Sequence, residues 1–322
     1  MIRPTQFWTL VVLGALALVC LFASLLAGSA HLSLHQALAA LAGGGDELSA
    51  MIVRTIRLPR TISAFAVGSL LGLAGVLLQA LFRNPLADPF VLGVSGGASV
   101  GALAGMLAGF ALGALEWTAT GGALAIGALV YWMGSGGDSG RLLLSGVVLA
   151  SACGAVISVL LAIADNGQLR GMVFWLAGDL GWAQHPGFDL AAAGVALCAA
   201  LVGGRALNVL AAGELRSAIL GLDARIARPV VFFIAAALTS LAVLAAGPVG
   251  FVGLVAPHLV RLALRTSDHR LVAPGAALCG GALLCLADIA SRTIAAPRQL
   301  PVGAITALIG APVFLLLLRR QR

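Results

Sequence analysis

The sequence predicts an all-α protein that crosses a membrane several times. Of its 322 residues, 61% are hydrophobic and only 10% are charged, and the mean hydropathy is +1.07. Soluble domains are nearer half apolar and a quarter charged. Inside a bilayer the backbone polar groups must be satisfied within the protein, and a helix does this within one segment. The 42 glycines also suit closely packed membrane helices.

Ten stretches approach the length of about 20 residues that a membrane-spanning helix needs. The charge-free stretch from Pro229 to Val260 is divided at Gly247-Pro248, where a helix would break. The first stretch is longer than a signal-peptide core and is therefore expected to be retained. Residues 1–322 are thus expected to form a single transmembrane domain. The predicted spans are 7–28, 61–82, 91–113, 118–134, 142–164, 188–205, 230–247, 249–265, 271–290 and 301–318.

Arginine positions predict the orientation of the chain. Ten spans place both termini on one side of the membrane, and every basic residue is an arginine. With the termini in the cytoplasm, thirteen arginines lie on the inner side and six on the outer side. Cytoplasmic loops carry the excess of basic residues, so both termini are predicted to be cytoplasmic.

Several function classes find no support in the sequence. The net charge of +7 comes from scattered arginines that form no basic face, so nucleic acid is not an expected partner. No HExxH, GxSxG or P-loop motif is present, so no enzyme site is predicted. His31 and His35 lack a third ligand, and an interfacial amphipathic turn is favoured over a metal site. The five cysteines are expected to be buried thiols.

A run of glycines marks the third predicted span. Residues that recur every four positions on a helix form a groove along which a neighbouring backbone can approach. This helix is therefore expected to pack tightly inside the bundle. The glycines are Gly93, Gly97, Gly101, Gly105, Gly109 and Gly113.

A compact charged element, Gly213–Pro229, lies on the predicted cytoplasmic side. Its apolar residues Leu215, Ile219, Leu222 and Ile226 share one helical face. Gly221 is expected to divide the element into two short helices. An apolar face suits a loop that docks on a cytoplasmic protein, and a solvated loop is the alternative.

The outer side carries a second group of charges. Arg54, Arg57 and Arg60 precede the second span, and Arg292 reaches the same level from the ninth. Such arginines could bind the carboxylates of an acidic partner or could simply extend to the membrane interface. Asp288 lies four residues before Arg292, so the two can form an ion pair on one helix face. A single paired carboxylate makes a poor proton relay.

Together these motifs resemble the FecCD family of ABC-importer permeases, to which the vitamin B12 permease BtuC belongs. The resemblance runs from about residue 50 to the C-terminus and rests on RLPRTISAFAVGSLLGLAGVLLQALFRNPLADPFVLGVSGGASVGAL, GPVGFVGLVAPHLVRL, DHR, LADIASRTI and LPVGAITALIGAPVFLLLL. It implies a BtuC-like fold of ten helices per subunit in the bacterial inner membrane, working as a homodimer. It also implies two cytoplasmic ATP-binding cassette subunits that hold ATP and Mg, and a periplasmic substrate-binding protein. The implied cargo is a bulky metal chelate: cobalamin, haem or a ferric siderophore.

The resemblance also implies roles for particular residues. Arg57, Arg60 and Arg292 would meet the binding protein. Coupling to the ATPase would fall to the element at 213–228, through Glu214, Arg216, Ser217, Leu220, Gly221, Asp223 and Arg225. A cytoplasmic gate would be formed by Asn84, Pro85, Leu86, Ser139 and Gly140, although the family more often has a small hydroxyl residue where Gly140 stands. An ion-coupled secondary transporter and a non-transporting assembly subunit are the alternative functions.

Overall fold

A computed structural model describes residues 3–28, 32–44, 46–134 and 139–319, and in these ranges the regular elements are all helical. Two 3-10 helices (Pro89–Leu92 and Leu180–Trp182) and one π-helix (Ile52–Arg57) join the α-helices. The α-helices are α1 (Pro4–Leu26), α2 (Leu34–Ala42), α3 (Glu47–Met51), α4 (Leu58–Phe82), α5 (Val94–Leu107), α6 (Leu112–Gly134), α7 (Ser139–Ile163), α8 (Asn166–Leu176), α9 (Pro186–Val202), α10 (Gly204–Ala211), α11 (Glu214–Ile219), α12 (Ala224–Ala246), α13 (Val252–Leu264), α14 (His269–Thr293) and α15 (Val302–Arg319).

The helices confirm the prediction of an all-α membrane protein. Six are long and apolar enough to cross a membrane: α1, α4 with its preceding turns, α6, α7, α12 and α14. The pair α9 and α10 meets the same criterion but bends by 62° between its two parts. The remaining apolar helices, α5, α13 and most of α15, are shorter. These ten segments match the ten predicted stretches in order, and the bend divides the sixth near its predicted end at residue 205.

Helix α4 lies at the centre of the bundle. It packs against α9, α12, α13 and α14, and it is buried along nearly its whole length. A Cβ atom at Gly68 would lie 2.2 Å from the main-chain oxygen of Gly280. A Cβ atom at Gly75 would lie 1.8 Å from the oxygen of Gly253. Only glycine allows backbones to approach this closely, so these positions hold α4 against α13 and α14.

The predicted break at Gly247-Pro248 is confirmed. Helix α12 ends at Ala246, and Gly247 adopts φ +65°, a conformation that L-residues with side chains rarely reach. A Cβ atom there would lie 2.3 Å from the main-chain oxygen of Trp175, in the last turn of α8. The break at Gly247 therefore lets the C-terminal end of α8 approach the C-terminal end of α12.

Candidate functional site

The glycine run of the third span forms a helix-packing face over only part of its predicted length. A Cβ atom at Gly97 would lie 2.4 Å from a main-chain oxygen of α6, and one at Gly101 would lie 2.0 Å from another. Gly105 likewise faces α6 side chains, while Gly93 caps the helix at φ +71°. The pattern does not extend further: α5 ends at Leu107, and the glycines at 109 and 113 face open space. Gly109 and Gly113 are therefore not packing positions, because the chain has already left the helix that would align them.

Two of the predicted docking arginines, Arg60 and Arg292, contact the same buried carboxylate. Asp288, on α14, is fully buried, and its Oδ1 accepts a hydrogen bond of 2.8 Å from Arg60 Nε. Arg292 Nε lies 2.9 Å from Oδ2, which confirms the predicted ion pair on one helix face. Oδ2 accepts no hydrogen bond within the described part of the chain, and Arg292 Nε donates instead to the main-chain oxygen of Asp288 at 3.4 Å. One carboxylate thus compensates two guanidinium groups.

Two of the three predicted docking arginines bind the end of α1. Arg57 donates from Nη1 to the main-chain oxygens of Leu25 and Leu26 at 2.9 and 2.7 Å. Arg292 donates from Nη1 to Ala27 O at 2.8 Å and from Nη2 to Ser24 Oγ at 2.9 Å. The last carbonyls of a helix have no partner inside it and carry partial negative charge, so cations here satisfy and neutralise the helix end. Both side chains are buried, at 4% and 8% exposure, which the sequence did not suggest.

Arg60 has different surroundings from Arg57, although the two are three residues apart. Besides Asp288, it contacts Gln299 at 3.1 Å through Nη1 and lies 3.8 Å from Asp179 through Nη2. Asp179 begins the 3-10 helix Leu180–Trp182, and its carboxylate is the more exposed partner of the pair, at 22% against 11% for Arg60. Arg60 therefore contacts residues outside the regular α-helices, Gln299 and Asp179, at this end of the bundle.

The charged element at 213–228 presents an apolar surface. Gly221, at φ +79°, separates α11 from α12, as the sequence predicted. The second part is not a separate short helix, however, but the first turn of α12. The surface also differs from the predicted face in one member: Leu222 packs against the core, and Leu220 is exposed instead. The exposed residues are Leu215 (78%), Ile219 (75%), Leu220 (65%) and Ile226 (64%), which together we call the coupling surface.

The polar residues of this element differ in their exposure and in their hydrogen-bond partners. Ser217 is fully buried, and its Oγ donates to the main-chain oxygen of Gly213 at 2.8 Å, so it cannot contact a partner in this conformation. Asp223 caps α12 by accepting from the Arg225 amide at 2.8 Å. Glu214 pairs with Arg228, which ties α11 to α12. Arg216 and Arg225 are exposed beside the coupling surface.

The proposed gate residues lie where α4 ends and α7 begins. Arg83 terminates α4 at φ +51°, and Asn84 Oδ1 then accepts a 2.9 Å hydrogen bond from the Leu86 amide. This turn leaves Pro85 and Leu86 exposed, and the following 3-10 helix packs against α7. Gly140 is exposed in the first turn of α7. Ser139 starts that helix, but its side chain lies outside the described residues.

Sequence reasoning missed a second buried polar contact inside the bundle. Asp189, in the first turn of α9, is 6% exposed and accepts a 2.8 Å hydrogen bond from Ser63 Oγ of α4. The two residues are separated by more than one hundred positions, and nothing in either local sequence indicates the other. A carboxylate inside an apolar stretch was the available signal, as it was for Asp288.

Residues 16–320 match the FecCD transport family, which covers nearly the whole chain. The chain belongs to the FecCD transport family. Its sequence is 41% identical over 278 residues to the hemin transport system permease protein HmuU of Yersinia pestis, covering 83% of each chain. It is 38% identical over 323 residues to the vitamin B12 import system permease protein BtuC of Shigella boydii, covering 97% of this chain and 95% of that one.

The fold agrees with this membership. A solved structure, described as an inward-facing conformation of a transporter assigned to the metal-chelate type of ABC transporters, superposes with a TM-score of 0.86 at 30% identity. The match covers 98% of this chain and 99% of that one. This FecCD chain is thus a polytopic permease of the ABC-transporter class. Permeases of this class are the transport components of importers that also need an ATPase and a substrate-binding component.

Proposed function

We propose that this FecCD permease imports a bulky metal chelate, namely haem, cobalamin or a ferric siderophore, across the bacterial inner membrane. The observation that carries the proposal is the end-to-end similarity to permeases named for hemin and for vitamin B12. The proposed complex contains a second copy of this chain, two ATP-binding cassette subunits and a periplasmic binding protein. Both termini lie in the cytoplasm, and ATP and Mg belong to the ATPase.

The coupling surface supports the proposed attachment of the ATPase. Exposing four large apolar side chains to water on a solvent-facing element costs free energy. These side chains suit an apolar groove on a partner protein. The Glu214–Arg228 pair connects this surface to the start of α12, so a force on α11 would be transmitted to a spanning helix. We assign the role of coupling to Leu215, Ile219, Leu220 and Ile226, and not to the buried Ser217.

The surface of α7 supports the proposed homodimer. This helix is highly apolar, yet only 11% of its most apolar 18-residue stretch is buried within the described part of the chain. Small residues at Ser151, Gly154 and Ser158 share an exposed face. Both serine hydroxyls donate to carbonyls of their own helix at 3.0 Å, so the face exposes little unsatisfied polarity. Small residues on one face favour the close approach of another helix, here a helix of the second copy. The same face could instead line a central pathway.

Transport measurements test the proposed cargo. The permease would be reconstituted in liposomes with its ATPase and binding protein, and uptake of haem, cobalamin and a ferric siderophore would be measured with and without ATP. Before that, thermal shifts of the binding protein identify its ligand, because a ligand that binds only the folded state raises stability by mass action. ATP-independent uptake driven by a proton or sodium gradient would support a secondary transporter and overturn the proposal.

Arg60 is the residue that best tests the outer docking site. A glutamate of the binding protein could displace the distant Asp179 from Arg60, and a charge-assisted hydrogen bond contributes about 1.5–3 kcal/mol. Arg60→Glu should therefore weaken binding of the partner about ten-fold or more, with rescue by a Glu→Arg reversal on the partner. Arg54→Glu is the matched control, because Arg54 is an exposed residue of the preceding π-helix whose Nε donates to Ala40 O at 2.7 Å and which does not contact Asp288 or Asp179. Equal affinities for the two variants would leave Arg60 with a structural role only.

A further inference from the structure

A polar cavity lies at the end of the bundle opposite to the outer arginine cluster. It has a volume of about 450 Å³ and is lined by residues from the start of α1, the α13–α14 loop and the first turn of α14. Its polar lining consists of Arg3, Gln6, Arg265, Thr266, Asp268 and Arg270. Neither the coupling surface nor the gate turn includes any of these residues, so the transport roles described above leave this cavity unexplained.

The cavity carries an excess of positive charge. Three arginines face one carboxylate, which leaves two positive charges. Asp268 is already engaged, since it pairs with Arg270 at 2.8 Å and caps α14 through the Arg270 amide at 3.0 Å. Within the described residues no carboxylate lies within 4.0 Å of the Arg3 or Arg265 guanidinium. Arginine guanidinium groups are suited to bind phosphate oxygens through paired hydrogen bonds.

The helix geometry adds to this positive potential. Both α1 and α14 begin at the cavity, at Arg3 and Asp268, and the partial positive charge that the helix dipole places at an N-terminus attracts anions. Arg265 ends α13 at φ +49°, a left-handed conformation that is uncommon outside glycine. The partial negative charge at the end of α13 offsets only part of the Arg265 charge.

The neighbouring surface places this cavity at a membrane boundary. Phe7 and Trp8, one turn into α1, are 56% and 64% exposed, and their rings contact each other at 5.8 Å. Exposed aromatic residues at the end of a spanning helix lie at the level of the lipid headgroups. The cavity is next to them on the same helix, through Arg3 and Gln6. A phosphate held here would therefore lie at the depth of a headgroup.

We propose that this cavity binds the phosphate of an anionic phospholipid, held by Arg3 and Arg265 between the N-termini of α1 and α14. Such a lipid would bridge the first helix to the α13–α14 loop. The ligand chemistry is a phosphate group, and the adjoining aromatic pair favours a lipid over a soluble phosphate as its source. The site is independent of the proposed cargo.

Lipid binding to the purified, delipidated full-length permease tests this proposal. Native mass spectrometry would compare phosphatidylglycerol with phosphatidylcholine, and the wild-type chain should bind the anionic lipid about ten-fold more tightly or better. The double variant Arg3→Gln/Arg265→Gln should lose about ten-fold in affinity for phosphatidylglycerol. The control variant Arg216→Gln/Arg225→Gln, which removes two exposed arginines that do not line the cavity, should change this affinity by less than about two-fold.

A second variant separates charge from folding. Gln6→Glu keeps the hydrogen bond that its side chain accepts from the Arg3 amide at 3.1 Å, because glutamate serves equally well at this capping position. It places a negative charge in the cavity and should also weaken phosphatidylglycerol binding about ten-fold, with an unchanged melting temperature. Equal binding of the two lipids, or equal behaviour of the cavity and control variants, would overturn the proposal. Displacement of the lipid by millimolar inorganic phosphate would reveal a soluble-phosphate site and would overturn the lipid assignment.

Discussion

Replacing Asp288 by asparagine should destabilise the protein strongly. The carboxylate is 0% exposed, and it lies 2.8 Å from Arg60 Nε and 2.9 Å from Arg292 Nε. Both arginines are themselves mostly buried, with side chains 11% and 8% exposed. Asp288→Asn keeps the shape of the side chain but leaves two neighbouring cations without their shared anion. Removing one partner of a buried ion pair typically costs about 3–5 kcal/mol, and we expect a loss in this range.

Unfolding of the purified permease in detergent measures this cost. Asp165→Asn is the matched control, because Asp165 is exposed and its side chain makes no capping hydrogen bond, so it should change stability by less than about 0.5 kcal/mol. The double variant Arg60→Met/Asp288→Asn removes one of the orphaned cations. It should be less destabilised than the sum of its single variants, by about 0.5–3 kcal/mol. An Asp288→Asn protein as stable as the control would refute the assignment of Asp288 as the counter-charge of this cluster.

Three further outcomes are expected. Leu220→Asp should reduce copurification of the ATPase while leaving the melting temperature of the permease unchanged, because this side chain is 65% exposed. Gly101→Ala should destabilise the fold by about 1–3 kcal/mol, because its Cβ would lie 2.0 Å from an α6 oxygen. In the same unfolding assay, Gly113→Ala should be neutral or slightly stabilising, because a Cβ atom there meets open space. The hydrogen bond from the Arg270 side chain holds the pKa of Asp268 well below its ordinary value of 3.8; the Asn208 amide adds to this lowering, and partial burial opposes it. This pair therefore contributes stability at neutral pH that is lost as the pH falls below about 4, and Asp268→Asn should flatten the stability profile measured through that range.

The sequence alone located the apolar stretches that form the long helices of the bundle. Spans are recognised from length and hydropathy, and both are local properties of about 20 residues. The break at Gly247 and the division at Gly221 were likewise readable, because glycine marks backbone conformations that other residues avoid. The ion pair between Asp288 and Arg292 followed from a spacing of four on one helix.

Contacts between distant residues were decided only by the tertiary structure. Arg57 and Arg60 are three residues apart in the sequence, but the fold brings Arg57 to the end of α1 and Arg60 to Asp288, 228 residues away. The fold also places α4 at the centre of the bundle. The sequence had instead drawn attention to the third span, because that span carries the glycine run. Membrane helices are apolar on every side, so hydropathy does not tell which face meets another helix. The partner of a buried arginine and the neighbour of a glycine depend on close packing between segments, and no local pattern records which segments meet.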